Sequence, residues 1–484
     1  MTDHVDVIII GAGLSGIGAA YRLSTMSPDR SYAILEARER VGGTWDLFRY
    51  PGIRSDSDMY TLSYPFRPWT QRKSIADGAD IRQYIADAAD EFGIADKIRF
   101  GHRVAAASWS SEDARWTVTA EVDGRTVTQT GSFLFFCSGY YDYDEGYTPD
   151  FPGLEDFQGE VVHPQFWPED LDYAGKKVVV IGSGATAITL IPSMADDAEH
   201  ITMLQRSPTY ITSLPQEDKI AAGLRKVLPA EAAHRATQVK NATVAVGFYE
   251  FCRRFPKVAR KILLTRAEKA VPEDFDRTHL TPHYNPWDQR LCVVPNGDLW
   301  RAIRRGRASI VTDRIERFDA TGIRLQSGEH LDADVVVTAT GLKVVALGKV
   351  AIDVDGEKVD PNDRFVYKGL MLSGVPNLAW CIGYTNASWT LRADLTWRYV
   401  PRFLNHLREK GYAWGMPDPA GAAGDSAPAL DLQSGYVQRA KDVLPQQGRS
   451  APWTVRQNWF LDSWDNARTD LDEAMVWERE RARV

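Results

Sequence analysis

Hydrophobic positions along this chain fall into short continuous runs, each closed by a turn of small residues. Asp6-Val-Ile-Ile-Ile10 leads into Gly11-Ala-Gly13-Leu-Ser15-Gly16 and then a helix-like stretch to Leu23. Lys177-Val-Val-Val-Ile181 leads into Gly182-Ser183-Gly184-Ala185-Thr186-Ala187 and a second such stretch to Met194. Unbroken β-branched runs suit central parallel strands covered on both faces. A small-residue turn between strand and helix lets backbone approach a pyrophosphate at the helix N-terminus. One such turn is weak evidence, but here both copies have the required strand before and helix after. The pattern predicts an α/β chain with two doubly wound, Rossmann-like dinucleotide-binding domains. Between Leu214 and Pro282 glycine is scarce, Lys, Arg, Ala and Leu dominate, and a helical insertion over the active site is expected. Strands return near Ile310. Asp334-Val-Val-Val-Thr338 reads as a buried strand closing on Gly341, where the chain passes back to the first domain. The last 60 or so residues are polar and charged, and no function is read from them.

The acid and base after each second strand distinguish the two sites. Glu36 ends the strand Ser31–Leu35, about 20 residues past the first turn, where a carboxylate accepts ribose hydroxyls and repels a 2′-phosphate. After Ile201–Leu204 comes Gln205-Arg206-Ser207, with no acid and with a guanidinium suited to phosphate. The first site reads as FAD and the second as NADPH. Gly42-Gly43-Thr44-Trp45-Asp46-Leu47 follows Glu36; paired glycines permit the positive φ and close backbone contact expected under a flavin phosphate or ribityl chain. Beyond lies Arg49-Tyr-Pro-Gly-Ile-Arg54-Ser55-Asp56-Ser57-Asp58, a polar turn among aromatics. Residue chemistry alone does not separate Asp56 from Asp58, and either can simply cap the turn.

The chain has 484 residues, 44% hydrophobic and 25% charged, enough for two or three cores. A net charge of -8 argues against nucleic acid as a partner. Fifteen Trp and nineteen Tyr suit apolar pockets, although most such rings serve as core. Cys137, Cys252, Cys292 and Cys381 are scattered without C-x-x-C spacing, so neither a redox dithiol nor a zinc site is indicated and a cytoplasmic location is expected. The run Val5–Ile10 is strand length rather than a signal peptide, and no run reaches the roughly 20 apolar residues of a membrane span.

Between the two turns stands Phe157-Gln-Gly159-Glu-Val-Val-His163-Pro-Gln-Phe-Trp167-Pro168. This string resembles the signature of Baeyer–Villiger monooxygenases, class B flavoprotein monooxygenases. Further resemblance lies in 42–62, 178–190, Gln205–Pro208, Tyr284–Leu299, Ala339–Gly341 and Gly383–Trp389, and is closest to the ethionamide-activating subgroup. It spans nearly the whole chain and is weakest in the insertion and the tail. It implies an FAD domain over 1–148 and 342–484, interrupted by an NADPH domain over 149–213 and 283–341, itself interrupted by the insertion 214–282. It implies a cycle in which NADPH reduces FAD, O2 adds at flavin C4a, and the resulting peroxide attacks a hydrophobic ketone to give an ester or lactone, with NADP+ retained throughout. Thioether or thioamide oxygenation is implied as a second activity. In that pattern Arg290 stabilises the peroxide anion and Asp56, not Asp58, tunes it. Arg suits that role because it stays protonated; an ordinary surface ion pair is the alternative for Arg290. His163 is expected in an interdomain linker, affecting kinetics without touching substrate. Many relatives carry Lys just before the Arg; here Gln289 stands there, so Arg206 is expected to bear more of the phosphate recognition.

The nearest rival is an N- or S-oxygenating flavin monooxygenase, which shares the turns and a similar His string but typically lacks the Trp-Pro ending. A related disulfide reductase is disfavoured by the absent Cys pair. A non-catalytic FAD/NADPH redox sensor is opposed only by Asp56 and Arg290. The physiological substrate and the oligomeric state are not legible.

Overall fold

The computed structural model describes residues 4–420, 424–430 and 432–480. Among them the strands gather around two main sheets, as the two turn units require. The larger sheet is nine-stranded and mixed. Its parallel part centres on His4–Ile10, which lies between Tyr32–Leu35 and the C-terminal half of Arg125–Phe136. Every buried position of His4–Ile10 past Asp6 is apolar, with Val7, Ile8 and Ile9 fully covered. That explains the unbroken run, since helices pack on one face and a second layer covers the other. Arg103–Ser110, Arg115–Val122 and Arg125–Phe136 extend the sheet as an antiparallel meander, whose first two strands alternate more exposed with more buried side chains. This meander was not anticipated from the sequence.

The second sheet has five strands, all parallel: Ala308–Thr312, His200–Gln205, Lys177–Ile181, Val335–Thr338 and Glu160–Val162 in that order. The helix Ala185–Met194 follows Lys177–Ile181 directly. After Val335–Thr338 the chain returns: Leu342–Val344 pairs with Tyr141–Gly146, and Ala351–Val354 joins the meander strand Arg103–Ser110 of the larger sheet. The architecture is thus α/β, with one all-parallel sheet and one mixed sheet whose centre is parallel.

The segment beyond Leu214 forms three helices, Lys219–Val227, Ala230–Arg254 and Pro256–Glu268. The longest packs against the short helix Met59–Leu62 of the first unit. The chain's end is also built in. Met475–Arg479 pairs antiparallel with Tyr412–Pro417, and the helix Trp459–Ala467 packs on the long helix Trp389–Lys410. No helix among the described residues is long and apolar enough to cross a membrane.

Candidate functional site

The first turn is shaped by close backbone packing. Gly11 has φ +100°, and a Cβ there would lie 2.8 Å from the Cys137 carbonyl oxygen. A Cβ on Gly16 would lie 1.9 Å from the Gly11 oxygen, so Gly16 closes the turn from inside rather than facing a ligand. Gly43, at φ +55°, presses on Gly13: its Cβ would meet the Gly13 Cα at 3.0 Å. Two glycine backbones therefore lie against each other beside the cavity. Glu36 stands next to them, buried. Its carboxylate accepts the Ala12 N–H at 2.7 Å and the Arg38 N–H at 2.8 Å. Burial raises its pKa, and these two N–H bonds work against that rise. A carboxylate has about four acceptor positions, so two remain for ribose hydroxyls.

A cavity of about 430 Å³ runs from Gly11, Gly13 and Glu36 to Ala185, Thr186 and Arg290. Ser15, Gly43, Thr44, Trp45, Arg54, Ser55 and Asp56 also line it. Asp46 and Leu47 do not. Asp46 is buried among Arg38, Arg49 and Arg82, at 2.7, 3.1 and 3.6 Å, and fixes the Thr44–Leu47 turn. Leu47 joins the apolar core under the second sheet. Ser15 Oγ accepts from the Trp389 indole at 2.7 Å, and Thr44 Oγ1 is 3.5 Å from the Tyr143 hydroxyl.

Asp56 and Asp58, alike in sequence, part here. Asp58 caps Met59–Leu62, accepting from the Tyr60 and Thr61 N–H groups and from Asn241 of the long inserted helix. Asp56 faces the cavity. Arg54 is paired with Asp298 at 2.5 Å. Arg290 lines the cavity wall, half-buried, with its Nε buried and without a hydrogen-bond partner. Tyr436 leads the neighbours that hold its pKa well above the ordinary guanidinium value; burial opposes them, and Tyr140, Tyr141 and Asp56 add to the rise.

At the second turn, Ala185 and Thr186 reach the cavity. Open space lies beside Gly184, and Ser183 Oγ donates to the Ser207 carbonyl at 3.3 Å. Ala187 packs inward. Gln205 turns away from the nucleotide side: its Nε2 donates to the His279 carbonyl and to Thr312 Oγ1, both at 2.8 Å. Arg206 is exposed at the end of its strand.

The signature string contributes the edge strand Glu160–Val162 of the second sheet and does not line the cavity. Gly159 leaves room for Phe157 and for the Asp334 carbonyl, which a Cβ would approach to 2.5 and 2.4 Å. Phe157 meets the Phe318 ring edge-on at 5.9 Å. His163 Nδ1 accepts the Gln165 N–H at 3.2 Å, its Nε2 is buried without a partner, and burial lowers its pKa. Trp167 lies against the second sheet's core.

Sequence reasoning missed the segment Ser138–Asp144 and Lys349, all on the cavity wall. A signal existed. Cys137-Ser-Gly139 follows a strand parallel to His4–Ile10, and ligands gather beyond the C-terminal ends of such strands. The residues present fit FAD. A glycine cradle and a buried acid sit at one end of the cavity, aromatic rings line its wall, and Arg290 Nε and Ser138 Oγ are buried without partners.

The flavin-binding monooxygenase-like family matches residues 5–220. The FAD-containing monooxygenase EthA of Mycolicibacterium smegmatis is 54% identical over 464 residues, covering 96% of this chain and 94% of its own. EthA of Mycobacterium tuberculosis is 53% identical over 464 residues, covering 96% and 95%. Among solved structures, an oxidized steroid monooxygenase bound to NADP superposes with a TM-score of 0.79 at 24% identity, covering 99% of this chain and 100% of that one. Cyclohexanone monooxygenase from Rhodococcus sp. Phi1 bound to NADP+ gives 0.76 at 18%, with the same coverage. The fold is shared with these two structures, and about half of the sequence with the EthA proteins. With half its sequence identical to theirs along nearly its whole length, the chain belongs to the flavin-binding monooxygenase-like family and is a flavoprotein monooxygenase.

Proposed function

We propose that the chain is an FAD- and NADPH-dependent Baeyer–Villiger monooxygenase that converts hydrophobic ketones to esters or lactones and oxygenates soft sulfur as a second activity. The observation that carries this reading is Arg290 on the cavity wall, its Nε unpartnered, with Asp56 on the same wall. Bound FAD, once reduced by NADPH, supplies the activation of O2. Glu36 would accept the ribose hydroxyls, and the Gly11, Gly13 and Gly43 backbone would lie under the pyrophosphate. The turn Ser183–Ala187 and Arg206 would hold the coenzyme, with Arg206 toward its 2′-phosphate. Arg290 would meet the negative charge that develops on oxygen as a ketone carbonyl is attacked. Its raised pKa means that it keeps its proton there and acts as a fixed cation rather than a proton donor. Asp56 would orient it. The aromatic wall of Trp45, Tyr140 and Trp389 would exclude water and accept an apolar substrate. The division into an FAD domain (1–148 and 342–484), an NADPH domain (149–213 and 283–341) and an insertion (214–282) belongs to the same proposal.

The balance to test is ketone, O2, NADPH and a proton giving ester, water and NADP+. With oxygen-18 gas, mass spectrometry should find one labelled atom in the ester. Arg290→Ala should retain FAD and lose ester formation by about 100-fold or more; wild-type turnover in that variant would overturn the reading. A protein that oxidises thioethers and leaves every ketone untouched would move the assignment to the heteroatom-oxygenating type.

A further inference from the structure

The cavity wall made by Tyr384 and Ala387 belongs to a stretch without regular structure, which ends at Trp389, a third wall residue and the first of the helix Trp389–Lys410. Such a stretch has no ladder of backbone bonds to hold it, so its shape depends on side-chain anchors. From the flavin side, the Trp389 indole donates to Ser15 Oγ at 2.7 Å, and its ring stacks on Tyr140 with centroids 5.4 Å apart. From the opposite side, a set of anchors comes from the end of the chain. Gln457 Oε1 accepts both the N–H and the hydroxyl of Thr385, each at 2.9 Å. The Gln457 carbonyl accepts from Asn386 Nδ2 at 2.8 Å. Asp462, on the helix Trp459–Ala467, accepts the Tyr384 hydroxyl at 2.7 Å and the Arg392 guanidinium at 3.1 Å. That guanidinium lies 4.7 Å from the centre of the Tyr384 ring. Trp459 packs with Tyr384, Leu391 and Ala242, the last from the inserted helix Ala230–Arg254.

Gln457 and Asp462 therefore act on the wall from behind, and neither lines the cavity. We propose that Gln457 and Asp462 are positioning residues for the oxygenation. They fix the Tyr384–Trp389 wall, and through it they set which apolar substrate fits and what share of NADPH oxidation ends in product. This rests on the reading of the cavity given above. Its physical basis is the steep dependence of rate on placement: an ångström of slack in a wall that orients the substrate costs on the order of 100-fold. A poorly seated substrate leaves the oxidising equivalents to escape as hydrogen peroxide.

Removal of Asp462 strands the buried Arg392, so the test turns on Gln457. Gln457→Ala removes the double acceptor for Thr385, and Gln457→Glu keeps an acceptor oxygen there. Steady-state kinetics would be run on wild type and both variants with an aryl ketone and a thioether side by side, measuring peroxide and product. Gln457→Ala should raise the KM for the organic substrate about tenfold and increase peroxide at the expense of product. FAD content and the KM for NADPH should stay at wild-type values, and Gln457→Glu should restore coupling. Hydrogen–deuterium exchange gives a readout independent of turnover: peptides covering 383–389 should exchange faster in Gln457→Ala than in the other two proteins. Unchanged KM, coupling and exchange would overturn the proposal. So would a loss of FAD and NADPH affinity alongside substrate affinity, with no rescue by Glu. A wild type that converts the thioether but no ketone counts against the Baeyer–Villiger reading alone, and the comparison of variants then stands on the thioether.

Discussion

At the scale of single residues, partners far away in sequence decide what a side chain does. Asp56 and Asp58 stand two apart in one polar turn, and local chemistry suits either to cap or to face a ligand. Asp58 becomes the cap because Asn241, 183 residues on, donates to it at 2.7 Å. No local pattern contains that fact. His234, on the same inserted helix, shows the opposite arrangement. It is buried beside Tyr60, and neither ring nitrogen finds a partner among the described residues. Burial lowers its pKa to about 4, from an ordinary value of 6.5. The folded state thus holds the neutral ring, and the stability this secures is present above pH 6.5 and lost as pH falls toward 4. The slope expected from this one group is about 1.4 kcal/mol per pH unit in that window. His234→Phe keeps a ring against Tyr60 and removes the titration. Its unfolding free energy, measured by denaturant between pH 4 and 7, should fall less steeply on acidification than the wild type's. Parallel curves would show that His234 does not carry the acid sensitivity.

At the scale of elements, the strand–turn–helix units were legible because burial on both faces forces unbroken apolar runs. Lys177–Ile181 has the limits its pattern predicts, and the helix after it ends at Met194 as expected but already begins at Ala185, inside the small-residue turn. The Glu36 strand and the Arg206 strand also lie where the charged residues placed them. The tail was not legible. Its strands are short, its helix Trp459–Ala467 has no buried residue, and much of its docking is through side-chain hydrogen bonds such as those of Gln457 and Asp462. Hydrophobic periodicity does not report such contacts. One glycine shows how finely the predicted helix is fitted. Gly18 lies where Leu14–Met26 crosses Trp389–Lys410, and a Cβ there would be 2.4 Å from the Trp397 ring. Alanine favours a helix over glycine by about 1 kcal/mol, yet overpacking a buried ring costs about 1–3 kcal/mol. The second effect should win, so Gly18→Ala is expected to lower the thermal midpoint of the FAD-loaded protein. An unchanged or higher midpoint would mean that the two helices separate freely.

At the scale of the molecule, the cavity extends from the glycine cradle of one sheet to the turn and Arg290 associated with the other. Coenzyme choice should then depend on few charges, because the chain as a whole carries -8 and its general field opposes a phosphate. Arg206 is exposed at the strand end, and among the described residues no ion pair engages it. Position 289, next to Arg290, is the neutral Gln289. A single guanidinium on a dianionic phosphate contributes about 1.5–3 kcal/mol, or roughly 10- to 100-fold. Arg206→Ala should therefore reduce kcat/KM for NADPH by about that factor and leave kcat/KM for NADH unchanged. Gln289→Lys adds a second cation beside the reaction centre and should widen the NADPH preference, an effect that weakens as salt screens it. Strong NADPH selectivity surviving Arg206→Ala would place the phosphate elsewhere and overturn the assignment of the second turn's coenzyme end.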